Sequence, residues 1–468
     1  MTHTAFTPPP GDRVPRPAAE TSDAGRLAAR LERLPWSGYQ RKLLLVVATA
    51  WLFDSIDLAS LTFMLSPIST EFSLDHAQAG LVGSTSFLGM LVGAVVAGAL
   101  ADRVGRRRVF QWSIVVWGVA GIALALSWDF SSLLAFRFLL GLGMGAEFPV
   151  AAALMAEFLP AERRGRGAAI LEGAWPVGFV LAGTLAYFIV EPLGWRAMFV
   201  IEASLALWAL VIRRFIPESP RWLATHGRYA EAEQIITDIE RAVEATTGKP
   251  LPEPAGPVTT TASGPERGGI RDLFSPSYRR RTLSLWAVWF CVLLGYYGLT
   301  TWLGNLLTER GLDVVHSIQY VLLMALWGIP GFLSAAYLVE RVGRKFCLAG
   351  YTVASAVAAY AYGQASDRTE LILTGSILQF FFFGMWSALY AYTPELFPTR
   401  SRGIGMGTAT AAGRLGAVLG PTLVPIILNA AGATAVFTVS AALFLIAASV
   451  VVALLPETKH TVLEDISG

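Results

Sequence analysis

Two carboxylates, Asp54 and Asp57, stand in the middle of an apolar run from about Leu43 to Ile68. That run is long enough to cross a bilayer, which takes about 20 helical residues. An ionised Asp at such a depth costs roughly 2.5–3.5 kcal/mol. Spaced i,i+3, the two share one face of a helix, and that face must look into protein or a water-filled cavity. Arg137 lies in a second apolar run, about 131–157. With a rise of about 1.5 Å per residue, Asp57 sits roughly 21 Å along its helix, and Arg137 roughly 9 Å from the far surface of a core about 30 Å thick. The two are therefore near one depth, and a carboxylate–guanidinium pair is the cheapest way to keep both charges there. Such a pair is either a permanent structural bridge or a proton switch, in which protonating the Asp releases the Arg.

Arg414 is a second cation at mid-depth, roughly 16 Å along the run Gly403 to Asn429. No acidic residue lies in the second-half runs away from their ends. Its partner is then Asp54, at a similar depth, or a carboxylate on a substrate, which a planar guanidinium fork suits. The two combine in one hypothesis: Arg414 pairs with Asp54 in the empty protein, and a substrate carboxylate displaces it as Asp54 takes a proton. Glu147 and Glu172 are placed roughly 6–8 Å from the face that carries the basic loops. They either relay protons or bond neighbouring polar groups near the interface. Most of the aromatic residues are expected to pack or face lipid. Trp175, Tyr296, Tyr297, Gln379 and Trp386 are the candidates for an interior wall, where a ring bearing a carboxylate could stack.

The elements that must position these groups are twelve apolar runs, six before and six after a polar stretch at 217–281. The chain of 468 residues is 54% hydrophobic and 15% charged, against about 25% charged in soluble proteins, which excludes an ordinary soluble domain. The expected architecture is an all-α integral membrane protein with 12 transmembrane helices in two six-helix bundles related by a pseudo-two-fold axis. Residues 1–40 read as a disordered tail lacking a cleaved signal peptide's pattern, 41–216 as the first bundle and 282–458 as the second. Between them, 217–281 reads as a linker holding an amphipathic helix from Tyr229 to Val243, and 459–468 as a second tail. Arg and Lys gather in alternate loops, at 103–108, 163–166, 279–281, 341–345 and 400–402. By the positive-inside rule both termini are cytoplasmic. Cys291 and Cys347 fall in apolar runs and suggest inert thiols rather than a disulfide.

The halves repeat. Asp102-Arg103-Val104-Gly105-Arg106-Arg107 returns as Glu340-Arg341-Val342-Gly343-Arg344-Lys345, and Glu157, Pro160, Arg164 and Gly165 return as Glu395, Pro398, Arg402 and Gly403. One shared offset across these motifs marks a duplicated unit. The loop charges suggest cytoplasmic gate pairs: Asp102 with Arg106, Glu157 with Arg164, Glu340 with Arg344 and Glu395 with Arg402. Glu218 and Arg221 belong to the same gate group. These pairs would lock the cytoplasmic side when a carrier faces outward.

At these motifs the chain resembles the major facilitator superfamily over nearly all its length. Arg137 with Gly141, Gly143 and Gly145 is similar to that family's fourth-helix motif, and Pro217-Glu218-Ser219-Pro220-Arg221-Trp222 to the close of the first half in sugar porters. Phe53-Asp54 to Asp57, Gly145-Ala146-Glu147-Phe148-Pro149, Tyr296-Tyr297-Gly298 and the segment Tyr392 to Arg400 narrow the resemblance to bacterial niacin and aromatic-acid transporters, relatives of the organic-ion transporters and synaptic vesicle glycoproteins. Sugar porters carry a Gln-Gln pair where this chain reads Tyr296-Tyr297. The resemblance implies a secondary transporter that imports a small aromatic carboxylate, niacin- or benzoate-like, with protons by alternating access. It implies the switch reading for Arg137, and anion carriage for a basic residue at 414. A monomer in the cell membrane is expected, acting on a small organic acid with no cofactor, no metal and no nucleic acid. Another organic anion, a sugar, drug efflux and a non-transporting nutrient sensor are the alternatives. No nucleotide loop or nucleophile–base spacing points to an enzyme.

Overall fold

The computed structural model describes residues 23–253, 270–309, 311–397 and 401–459. Among the described residues, ten helical segments are long and apolar enough to cross a membrane. Two of these, Arg166–Phe215 and Arg402–Leu454, each hold two crossings joined without a loop. The joints are Gly194 and Gly432, both at φ 78°, a backbone angle that favours glycine. Counting those as pairs gives twelve crossings, the major facilitator architecture.

In chain order the helices are α1 (Asp23–Glu32), α2 (Gly38–Glu71), α3 (His76–Val104), α4 (Arg106–Ala125), α5 (Phe130–Phe158), α6 (Ala161–Glu172), α7 (Ala174–Ser204), α8 (Trp208–Phe215), α9 (Pro220–Thr225) and α10 (Tyr229–Thr247). The second half adds α11 (Ile270–Leu273), α12 (Arg279–Glu309), α13 (Val314–Ala325), α14 (Gly328–Val342), α15 (Arg344–Gln364), α16 (Arg368–Tyr392) and α17 (Arg402–Leu454). Capping boxes start three of the crossings: Ser37 with Gln40, Asp75 with Gln78, and Asp129 with Ser132. Each box satisfies amide groups that lipid could not.

Within the first half α3 and α4 pack on α5, and α2 on α7. In the second, α12 and α15 pack on α17, and α14 and α15 on α16. The repeat reaches into backbone detail. Gly105 and Gly343, at φ 107° and 110°, turn the chain into α4 and α15. Each new helix receives a carboxylate at its N-terminus: Glu218 accepts from the amides of Arg106 and Arg107, and Glu457 from those of Arg344 and Lys345. Unpaired N–H groups and the helix dipole both favour an anion there.

The expected tail through residue 40 is corrected in part. Asp23–Glu32 forms a helix whose Leu27 and Leu31 are buried, and α2 begins at Gly38. The pairing that fixes α1 is long-range: Arg30 and Arg33 meet Glu240 on α10 at 2.6 and 2.7 Å. A window that sees only local composition misses it. Burial pushes the Glu240 carboxyl up, but the hydrogen bonds and charges of Arg30 and Arg33 outweigh it and hold the group below its ordinary value. The amphipathic helix appears as α10 and runs four residues beyond Val243. Most of the linker at 250–268, the rest of the tail, and Arg310, Pro398 and Arg400 lie outside the described residues.

The bundles touch mainly on the side away from the basic loops. There Ser66 Oγ lies 3.3 Å from Thr308 Oγ1, and His76 Nδ1 lies 2.8 Å from Asn429 Oδ1. The His76 ring also meets Trp302 edge-on. A Cβ built at Gly83 would lie 2.9 Å from Pro421 Cβ and 3.0 Å from Thr301 Cγ2, so α3 needs glycine to reach α12 and α17.

Candidate substrate and proton site

Beneath that seam, two groups of ionisable side chains lie inside the helices. The deeper group is built from α2, α5 and α7. Asp57, Arg137 and Glu202 are each at most 2% exposed, and they act on one another electrostatically. Asp57 and Arg137 are thus brought together, as expected from their depths. No direct bridge joins them: Asp57 Oδ2 and the Nε and Nη1 atoms of Arg137 are buried without hydrogen-bond partners. Ser60 donates to Glu202 across the α2–α7 contact. Glu202 is the residue that sequence reasoning passed over. The rule that picked out Asp54, a carboxylate inside an apolar run, applies equally to Glu202 in the run 196–216.

The second group lies between the bundles. Arg414 acts electrostatically on Asp54, Glu172, Tyr297 and Tyr390, and Glu147 acts on Asp54. Glu147 and Asp54 are buried, while Arg414 and Glu172 are half-buried, so open space reaches them. The guanidinium of Arg414 projects from α17 across to the first half. Its carbon lies 5.4 Å from the centre of the Phe148 ring, and Nη1 lies 3.7 Å from Met90 Sδ. Among the described residues no carboxylate stands within ion-pair distance of it. The direct Asp54–Arg414 pair expected for the empty protein is not formed, because the guanidinium rests on the Phe148 face instead. Asp54 Oδ2 and Glu147 Oε1 are buried without partners.

An aromatic wall from α12 and α16 adjoins Arg414. Tyr296 meets Tyr297 and Trp386 edge-on at 5.0 and 5.2 Å, and Trp386 stacks on Tyr390 at 5.6 Å. Tyr297 reaches the first half at Phe87, with ring centres 4.4 Å apart. Edge-to-face and offset contacts of this kind hold rings in place at about 0.5–1.5 kcal/mol each. Two polar atoms in the wall are buried without partners, the Nε1 donor of Trp386 and the Oε1 acceptor of Gln379. Trp175 is half-buried on α7 against the shared core. Tyr390 and Phe148 are wall members that were not among the candidates for an interior wall. Their i,i+4 and cross-bundle relations to Trp386 and Arg414 show only in the fold.

The gate residues form networks inside each half. Arg106 reaches Glu157, which also accepts from Ser219, while Asp102 offers its carbonyl to Trp222 Nε1 at 2.8 Å. The expected Asp102–Arg106 pair is thus replaced by Arg106–Glu157, because Gly105 turns Arg106 toward α5. The Arg164 side chain lies outside those described. In the second half Arg344 meets Glu340 at 2.9 Å and Glu395 at 3.1 Å, and Thr458 donates to Glu395 at 2.6 Å. Arg402 opens α17. Glu218 caps α4, and Arg221 pairs with Glu32 of α1 at 3.2 Å. These contacts tie each bundle to itself.

Comparison with known proteins identifies the family and the fold. The family described as "Sugar (and other) transporter" matches residues 49–468. The chain is 39% identical over 441 residues to the niacin transporter NiaP of Acinetobacter baylyi, covering 94% of this chain and 99% of that protein. To the synaptic vesicle 2-related protein of Rattus norvegicus it is 29% identical over 440 residues, covering 90% and 79%. Among solved structures, the partially occluded inward-open xylose transporter XylE from E. coli superposes with a TM-score of 0.74 at 19% identity, over 91% of this chain and 100% of that one. That likeness concerns the fold. The chain therefore belongs to the sugar (and other) transporter family and is a membrane-spanning transporter of the major facilitator superfamily.

Proposed function

We propose that the protein is a proton-coupled importer of a small aromatic carboxylate, of the niacin or benzoate kind, working by alternating access in the cell membrane as a monomer. The observation that carries this reading is Arg414. A guanidinium at mid-membrane, half-buried between the bundles and with no carboxylate at ion-pair distance among the described residues, is a ready site for an anion. The ring of that anion would lie against Trp386, Tyr390, Tyr297 and Phe148, with Trp175 on the facing helix. The donor on Trp386 and the acceptor on Gln379 would meet its polar substituents. The niacin transporter among the relatives supports the same substrate class.

Charge balance supports the coupling. Asp57, Glu202 and Arg137 hold two acids and one base in low dielectric, so the cluster is neutral when it carries one proton. Asp54 and Glu172 lie within electrostatic reach of Arg414, and Glu147 within reach of Asp54, and an arriving carboxylate adds another negative charge. Its entry therefore favours proton uptake by these acids, which is symport in elementary form. With the basic loops on the cytoplasmic side, the contacts among Ser66, Thr308, His76 and Asn429 close the outer face, as in an inward-facing state. The gate networks lie inside each half and brace it rather than locking the cytoplasmic side as expected from the sequence.

Counterflow of labelled nicotinate and benzoate in reconstituted vesicles, with and without an imposed proton gradient, tests the reading. Exchange of either acid, and accumulation only when the vesicle interior is alkaline, is the expected result. Exchange of neutral sugars with no exchange of acids would overturn it.

A further inference from the structure

Away from the transport site, on the surface that faces the bilayer, α14, α15 and α16 enclose a groove of about 380 Å³. Its walls are apolar and aromatic, and Leu338, Phe346, Tyr351, Phe380 and Phe381 are among the side chains that line it. At its inner end Ser334 Oγ and Tyr351 OH share a hydrogen bond of 2.6 Å, so the interior presents no unpaired hydroxyl. The groove opens at Val342 and Phe346, both more than half exposed, at the membrane face that carries the basic loops. With about 1.5 Å of rise per residue, the distance from Val342 to Ser334 along α14 is roughly 12 Å. The groove therefore runs from the headgroup region into the hydrocarbon.

We infer that this groove is a binding site for an anionic phospholipid, one acyl chain lying along Phe380 and Phe381 and the phosphate held by Arg341 and Lys345. Both cations flank the mouth. Arg341 lies 4.6 Å from the Tyr337 ring centre and Lys345 5.9 Å from that of Phe346. Among the described residues neither is in an ion pair. Lys459 adds a third positive charge, its Nζ donating to the Arg341 carbonyl at 2.6 Å. Arg344 is excluded as a headgroup ligand because Glu340 and Glu395 already neutralise it. A lipid chain gains no hydrophobic free energy on leaving the bilayer, which is as apolar as the groove. Selection must therefore come from close packing against rigid rings and from the charge at the mouth, worth about fivefold for each cation near the phosphate.

The internal repeat shows what makes the groove. A shift of 238 positions relates Gly105 to Gly343 and places Trp112 opposite Gly350. Gly350 lines the groove, and a Cβ built there meets nothing within 4 Å. The first half carries a tryptophan at that place, 65% exposed on its own surface. The second half replaces an indole with a hydrogen and leaves room for a chain.

The test uses the full protein and native mass spectrometry with phosphatidylglycerol and phosphatidylcholine of identical acyl composition, offered in equal amounts. Wild type is expected to retain phosphatidylglycerol by tenfold or more over phosphatidylcholine, and to retain no free glycerol 3-phosphate. Gly350→Trp should lose the retained lipid. Arg341→Gln with Lys345→Gln should keep an occupied groove but fall to near-equal retention of the two lipids. Equal retention by wild type, or unchanged phosphatidylglycerol retention in Gly350→Trp, would overturn the inference and leave only an exchangeable lipid shell. The double variant alters one exposed and one half-buried side chain at the membrane face and leaves the core untouched, so a folding failure in Gly350→Trp leaves the headgroup arm decisive.

Discussion

The two halves share a backbone plan down to the φ angles of Gly105 and Gly343, yet they carry different chemistry. The first half buries Asp54, Asp57, Glu147, Glu202 and Arg137 deep in its crossings and holds Glu172 half-buried. The second half has Arg414 as its mid-depth charge and surrounds it with Tyr296, Tyr297, Trp386 and Tyr390. Duplication supplied the scaffold twice, and the side chains then diverged. Pro176 occupies the place in the first half that Arg414 takes in the second. On the proposed reading, protons are handled on one side of the cleft and the organic anion is recognised from the other. Coupling is then an electrostatic conversation across the gap, and neither half has it alone.

The largest effect that would break this division is on coupling. Asp57→Asn and Glu202→Gln each remove an acid from the deeper cluster. Labelled substrate should still exchange, while accumulation against a gradient falls to background; accumulation retained in both variants would show that protons are carried elsewhere. Arg414→Ala comes next. Charge-assisted hydrogen bonds contribute about 1.5–3 kcal/mol, so KM for an aromatic acid should rise roughly tenfold to a hundredfold, with Arg414→Lys between. Unchanged binding in a melting-shift assay of Arg414→Ala would move recognition out of the second half.

The seam itself gives a sharper and smaller test. Gly83→Leu forces side-chain carbon against Pro421 and Thr301, and overpacking of this kind costs about 1–3 kcal/mol. The state closed on that face should lose population, seen as faster thiol labelling of Thr301→Cys in that background. Trp386→Phe keeps a ring in the wall and deletes the unpaired donor. It should weaken binding by about 1 kcal/mol for acids with a polar group remote from the carboxylate, and leave benzoate unchanged. The smallest effect lies outside the membrane. Glu240 is held below its ordinary value, so the attachment of α1 persists above the usual carboxylate range and is lost as pH falls through the lowered value. Glu240→Gln should mimic the acid state at neutral pH, favouring local opening by about 1–2 kcal/mol, read as protease cleavage before Gly38.

Much of this was legible in the chain because a bilayer punishes charge so heavily. Asp54, Asp57, Arg137 and Arg414 announce themselves by standing in apolar runs, and helical rise alone placed Asp57 and Arg137 at one level. The twelve crossings and the repeat follow from the same contrast between apolar runs and basic loops. What escaped depends on rotation and on distant partners. Helical rise says how deep Arg414 lies but not that it turns onto Phe148 rather than Asp54. Sequence spacing offered Arg106 to Asp102, four residues away, and only the turn at Gly105 carries it to Glu157 instead. The docking of α1 rests on Glu240, more than 200 positions away, and no local pattern reports it.

The carboxylates of Glu218 and Glu457 have one more bearing on how such a machine moves. Each comes from the last segment of its own half and grips the start of that half's third crossing, so the final strand of chain is buckled back across the middle. A bundle belted in this way resists shearing between its own helices. Torque applied at the central cleft would therefore swing each half like a solid lever, and the fulcrum must lie where the two halves touch.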